Sequence, residues 1–209
     1  MSRVALRVTG ILFVVLILVS ELLKGDSPSP TGPTEEITSF FDERRSSILA
    51  GAYVQMLALF LLALLFASLA PRLMSQELTS GRLARIGLVL VLAAYTGYAF
   101  WTAATAFGAA LDAGPETAKA LWEIRFVAET FVNLPVALFV GAVGIAATVG
   151  RGWYRWASLA VAAAFLVGGA ALARNGFFAP DGGYGFILFW LLPLWVVVTA
   201  FVATPRPAS

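Results

Sequence analysis

The sequence predicts an all-α fold: a polytopic membrane bundle of six transmembrane helices, with a short amphipathic helix in the first outer loop. One transmembrane domain is expected over residues 1–209. Three observations carry this. Hydrophobic residues make up 60% of the chain and charged residues 12%, with a mean hydropathy of +0.87; that leaves too little polar surface to cover a water-soluble globule. The apolar residues fall in continuous runs free of Asp, Glu, Lys and Arg, and about 20 such residues cross a hydrocarbon core about 30 Å thick. The runs do not alternate polar with apolar positions, so helices are preferred to barrel strands.

The first span is placed at about 6–23, long enough only if Arg7 and Glu21 sit near its ends. Arg3 and Arg7 precede the apolar run in the manner of a secretory signal, but no small-x-small cleavage site follows it, so an uncleaved span is expected. In the outer loop, Pro28, Pro30 and Pro33 predict an irregular segment, since each proline removes a donor and restricts its predecessor. Thr34 is read as an N-cap with Glu35 and Glu36 in the first turn. Ile37, Phe40 and Phe41 at i, i+3, i+4 give the short amphipathic helix. The remaining spans are expected at about 46–71, 86–111, 121–150, 156–173 and 182–204. The fourth opens on Pro115 and Glu116, and Pro135 and Pro193 interrupt the hydrogen-bond ladders of the fourth and sixth. On the fifth, Ala160, Ala164 and Gly168 repeat at every fourth residue, a spacing that allows close helix contact.

Charge placement sets the orientation. With the N-terminus cytoplasmic, the inner segments hold Arg3, Arg7, Arg72, Arg82, Arg85, Arg151, Arg155 and Arg206, and the outer segments hold Lys24, Arg44, Arg45, Lys119, Arg125 and Arg174. This bias of eight to six favours both termini cytoplasmic in a cell inner (plasma) membrane. The basic residues are scattered singly along the span boundaries, which excludes a nucleic-acid partner.

Three motifs carry a resemblance. Thr34-Glu-Glu-Ile-Thr-Ser-Phe-Phe before Ile48-Leu-Ala-Gly-Ala-Tyr, the Gly-Pro-Glu-Thr-Ala-Lys-Ala-Leu run at 114–121 and Asn133-Leu-Pro resemble a recurrent class of bacterial six-span integral membrane proteins, a domain-of-unknown-function class. The resemblance implies fold and topology and transfers no activity. The use of 12 Arg against 2 Lys, with abundant Ala and Gly, is consistent with a bacterial source.

Polar groups within the spans are the candidate functional residues, because their burial in lipid is costly. Rising 1.5 Å per residue from the inner boundary, Glu21 stands at about 21 Å, Gln55 at about 26 Å, Asn133 at about 27 Å, Arg174 at about 28 Å and Glu129 at about 33 Å. Tyr95, Tyr98, Thr102 and Thr105 share one face of the third helix at 3, 4, 3 spacing. The sequence thus places its polar side chains in the outer half of the bundle and leaves the inner half apolar. A candidate ligand pocket is lined by Glu21, Gln55, Tyr98, Thr102, Arg125, Glu129, Asn133 and Arg174. Arg125 and Glu129 pair at i, i+4, with Asn133 continuing the network inward. The competing reading makes the same groups structural glue between helices, with Glu21 paired to Lys24 at i+3.

The chain has no histidine and no cysteine. That excludes His- and Cys-based catalytic systems, His/Cys metal sites, disulfides and redox pairs. No phosphate-binding glycine loop, nucleophile elbow or zinc-protease motif is present, and no metal or other cofactor is called for. An enzyme is the least favoured class. Two readings remain: a non-enzymatic component of a membrane assembly, with membrane-protein partners or a homo-oligomer, and a small-solute or lipid binder or transporter using the outward-facing pocket. The lipid bilayer is the partner common to both.

Overall fold

The computed structural model describes residues 2–74, 78–107, 114–146, 152–170, 176–179 and 182–202, and the side chains within them except at 69–74, 78, 80 and 105–107. Six helices follow one another in these residues: α1 Arg3–Lys24, α2 Thr34–Met74, α3 Leu78–Phe107, α4 Pro115–Ala146, α5 Gly152–Ala170 and α6 Gly183–Val202. Five of them, all but α5, are long and apolar enough to cross a membrane. The 19-residue α5 opens on Gly-Trp-Tyr-Arg-Trp, which dilutes its apolar run. No strand occurs among the described residues.

Local chemistry explains the helix ends. Ser2 caps α1 by accepting the Ala5 N–H at 3.2 Å. Gly25 terminates it at φ +71°, with its N–H on the Glu21 carbonyl at 2.9 Å; a left-handed residue there favours glycine. Helix α4 begins at Pro115, as its sequence predicts, and the Gly114 carbonyl accepts from Thr117 and Ala118. Pro135 and Pro193 lie inside α4 and α6, and both helices continue through them, as membrane helices tolerate when neighbours pack around the gap.

The amphipathic segment at the end of the first outer loop is not a separate helix. Thr34–Phe41 forms the first turns of α2, a single helix of 41 residues. The polar stretch Asp42-Glu-Arg-Arg-Ser-Ser contains neither glycine nor proline, so nothing interrupts the backbone ladder. Thr34 is the first helical residue; the Pro33 carbonyl accepts from Ile37, and the Thr34 hydroxyl donates to Glu116 of α4. At about 1.5 Å per residue α2 is about 60 Å long, twice the thickness of a hydrocarbon core, so it extends well beyond the bundle's membrane-sized section. Its projecting face packs Ile37, Phe41 and Ile48 on Trp122 and Phe126 of α4. Phe41 and Trp122 meet edge to face at 5.1 Å, and Trp122 and Phe126 at 5.2 Å.

In packing order the helices form a ring, α1 on α2, α2 on α3, α3 on α4, α4 on α5, α5 on α6 and α6 back on α1, with α2 also touching α4 across the middle. The closing contact fixes the topology: the Arg7 guanidinium lies 5.0 Å from the Phe201 ring, and a Cβ at Gly10 stands 2.7 Å from that of Ala200. The start of α1 and the end of α6 therefore lie at the same end of the bundle, which we call the terminal end. Between it and the bundle's middle, Leu62, Phe66, Val91, Phe139, Trp195 and Val196 pack in one apolar core. Phe66 meets Phe139 edge-on at 4.5 Å and stacks on Trp195 at 5.7 Å.

Candidate functional site

Two apolar clusters bracket a polar layer. Along α2 the order is Ile48 in the projecting cluster, then Gly51 and Gln55, then Ala58 and Leu62 in the main core. Along α4 it is Trp122 and Phe126, then Arg125 and Glu129, then Val132 and Val136. Ser20, Glu21 and Lys24 close α1 at this level, and Tyr95, Tyr98 and Thr102 supply it from α3. The side chains anticipated from four separate spans thus occupy one stratum, toward the end away from the termini.

The layer is organised around two buried cations. Lys24, 3% exposed, turns inward at the last residue of α1. Its ammonium donates to Glu21 Oε1 at 2.7 Å and to Gln55 Oε1 at 2.9 Å, and lies 5.7 Å from the centre of the Tyr98 ring. Close approach of α1 to α2 makes this possible. The Ser20 hydroxyl donates to the Gly51 carbonyl at 2.9 Å, and a Cβ at Gly51 would stand 2.8 Å from Lys24 Cγ.

Arg125, 7% exposed, is boxed by rings. Its guanidinium carbon lies 4.1 Å from the Trp122 ring centre, 4.7 Å from Tyr98 and 5.0 Å from Phe126, contacts in which a ring face attracts the cation. Nη2 donates to the Tyr98 hydroxyl and stands 4.0 Å from Glu129 Oε2, beyond hydrogen-bond length. Nε and Nη1 are buried and have no hydrogen-bond partner among the described residues. A buried guanidinium normally spends all its donors.

Glu129 supplies the complementary observation. It lies on the inward stripe of α4, in register with Trp122, Val132 and Val136, all buried, yet 47% of its side chain is accessible. Accessible surface on an inward-facing side chain is the wall of a crevice. Glu21 of α1 is likewise 43% accessible, and α1 and α4 have no extended packing contact among the described residues. The carboxylates of Glu129 and Glu21 interact electrostatically with each other and with both Lys24 and Arg125.

The other sequence candidates fall differently. Thr102 is buried, but its hydroxyl donates to the Tyr98 carbonyl of its own helix at 3.0 Å, so it braces α3. Asn133 stands beside Gly168 of α5, 3.2 Å from where a Cβ would lie there. That same packing commits Gly168 to contacts inside the bundle. Arg174 and the Thr105 side chain lie outside the described residues.

Sequence reasoning missed two features. The sequence places Lys24 at the outer boundary as a local partner of Glu21, although a lone lysine closing an apolar helix signals more, and Trp122, one turn before Arg125, completes the ring box. The half toward the termini is not purely apolar. There the Tyr154 hydroxyl meets Thr199 Oγ1 at 2.6 Å, Thr199 donates to the Trp195 carbonyl at 2.7 Å, and Trp195 Nε1 donates to Ser158 at 2.9 Å. Each of these groups has a partner, as structural glue requires. The Arg125 layer lacks that closure.

No protein-family model, curated protein or solved structure matches the chain.

Proposed function

We propose that this chain is a six-crossing membrane protein that binds a small ligand through an anionic group, acting as a solute or lipid binder or transporter. The observation that carries the reading is Arg125: a guanidinium held in an aromatic box, with Nε and Nη1 lacking a hydrogen-bond partner among the described residues, beside a crevice that Glu129 lines. Leaving buried donors unsatisfied costs about 1–3 kcal/mol, and more on a charged group. A ligand acceptor that completes them recovers that cost on binding, so the same residue is a liability when empty and a source of affinity when filled.

The setting proposed is a bacterial inner membrane with both termini cytoplasmic and the crevice toward the outer face. It is supported by the Lys/Arg bias and by the shared end of α1 and α6. The reading as a component of a larger membrane assembly rests on the short loops and mostly apolar sequence, and exposed apolar side chains such as Phe60, Phe100 and Trp156 are compatible with it. Contact with lipid accounts for those equally well.

The test is thermal unfolding of the detergent-purified chain against a panel of small carboxylates and phosphates. At least one member is expected to raise the midpoint, since a ligand that binds only the folded state at 100 times its Kd stabilises by about 2.7 kcal/mol. Arg125→Gln should abolish the rise. A panel in which no anion moves the wild-type midpoint rejects the proposal.

A further inference from the structure

The proposed anion site sits among charges of both signs, and that arrangement points to the kind of ligand. Among the described residues the layer holds two cations, Lys24 and Arg125, and two carboxylates, Glu21 and Glu129. The cations are buried and the carboxylates are about half accessible, so positive charge forms the floor of the crevice and negative charge its rim. The two acids are also unequally engaged. Glu21 is bonded to Lys24 at 2.7 Å, whereas Arg125, the basic group paired with Glu129 among the described residues, stands at 4.0 Å.

At this depth the surroundings are lipid and protein, and an unbalanced charge is costly. A simple anion satisfies Arg125 but leaves the layer with a net negative charge and sets that charge against Glu129. A simple cation finds Glu129 but leaves the Arg125 donors open. A molecule carrying both signs meets both demands and changes the layer's net charge by nothing.

Resting on the function proposed above, we infer that the ligand is a zwitterion, its anionic end on Nε and Nη1 of Arg125 and its ammonium end on Glu129 at the crevice rim. Two sources share this chemistry: a free amino-acid-like solute and the headgroup of an aminophospholipid. For either, Arg125 supplies attraction and Glu129 supplies selection, because a carboxylate on the rim repels ligands that lack the ammonium.

The experiment compares three matched probe sets on the wild-type chain by thermal shift and titration: free α-amino acids, their N-acetyl derivatives (anion only) and their amides (cation only). A parallel arm reconstitutes the chain in phosphatidylethanolamine or phosphatidylglycerol vesicles and measures the same midpoint. Zwitterions are expected to bind roughly tenfold or more tightly than either single-charge form, the scale for one charge-assisted hydrogen bond. Glu129→Gln, nearly isosteric, should erase the preference over the N-acetyl forms while retaining anion binding. Stabilisation by free amino acids identifies a soluble ligand, and stabilisation by phosphatidylethanolamine alone identifies a headgroup; both support the inference. N-acetyl forms binding as well as the zwitterions overturn it while leaving the anion site standing. Amides binding best, or no probe in either arm binding, overturns both.

Discussion

Lys24 and Gln55, 31 residues apart, meet across the α1–α2 seam with the ammonium 2.9 Å from the carboxamide oxygen, both side chains buried. This bond holds a cation inside an apolar bundle, so the seam depends on it. Gln55→Leu leaves the ammonium with Glu21 as its remaining acceptor. The expected loss is about 2–3 kcal/mol, the scale for a hydrogen bond to a charged group. Adding Lys24→Met should restore part of the stability, because removing both partners leaves no buried charge unsolvated. Chemical unfolding of the two single variants and the double variant in detergent checks this; strict additivity contradicts the coupling.

Two glycines on α3 predict opposite responses to the same change. A Cβ at Gly87 would lie 2.7 Å from the Phe139 Cα, against backbone that cannot move aside, so Gly87→Ala should separate α3 from α4 and cost about 1–3 kcal/mol. Gly97 has nothing within 4 Å of the same position. Gly97→Ala should be neutral or stabilise by up to about 1 kcal/mol through helix propensity. Thermal midpoints of the two variants read the difference directly.

Trp122 works on both sides of its ring. Its face packs on the Arg125 guanidinium at 4.1 Å, and its Nε1 donates to the Pro28 carbonyl at 3.1 Å, tying the proline-rich loop to α4. Trp122→Phe keeps an aromatic face and deletes the donor. Stability should fall by about 1 kcal/mol, and limited proteolysis should cut within residues 25–33 faster than in the wild type. Unchanged cleavage there rules out Trp122 as the tether.

Because the chain has no cysteine, single substitutions report topology without background. Ser27 and Thr79 are both exposed and lie at opposite ends of the bundle, after α1 and at the start of α3. In spheroplasts, a membrane-impermeant maleimide is expected to label Ser27→Cys directly and Thr79→Cys only after permeabilisation. The reversed pattern inverts the proposed orientation.

Legibility differed between the helices and the site. Long apolar helices of membrane-crossing length are legible in the sequence because hydropathy accumulates along the chain and needs no partner to be read. The joining of Thr34–Phe41 to the following span was harder to see. Charge in Asp42–Arg45 reads as a loop by composition, yet the same residues are good helix formers once Ile37 and Phe41 have Trp122 to pack on. The hydroxyl chain of Tyr154, Thr199 and Ser158 was invisible for a related reason: its members are spread over two helices whose facing sides no single helix specifies.

By itself, the order of residues determined the helical class and the level at which polar groups sit, since rise per residue is constant and each helix measures its own depth. That is why the sequence alone puts Glu21, Gln55, Tyr98, Arg125 and Glu129 in the outer half of the bundle. Only the tertiary structure decided what those groups do to each other. The closeness of α1 to α2 at Gly51 buries Lys24, and the absence of extended α1–α4 packing among the described residues leaves Glu129 accessible on an inward stripe. Direction and separation belong to pairs of helices, and they are what leave Arg125 with donors to spare.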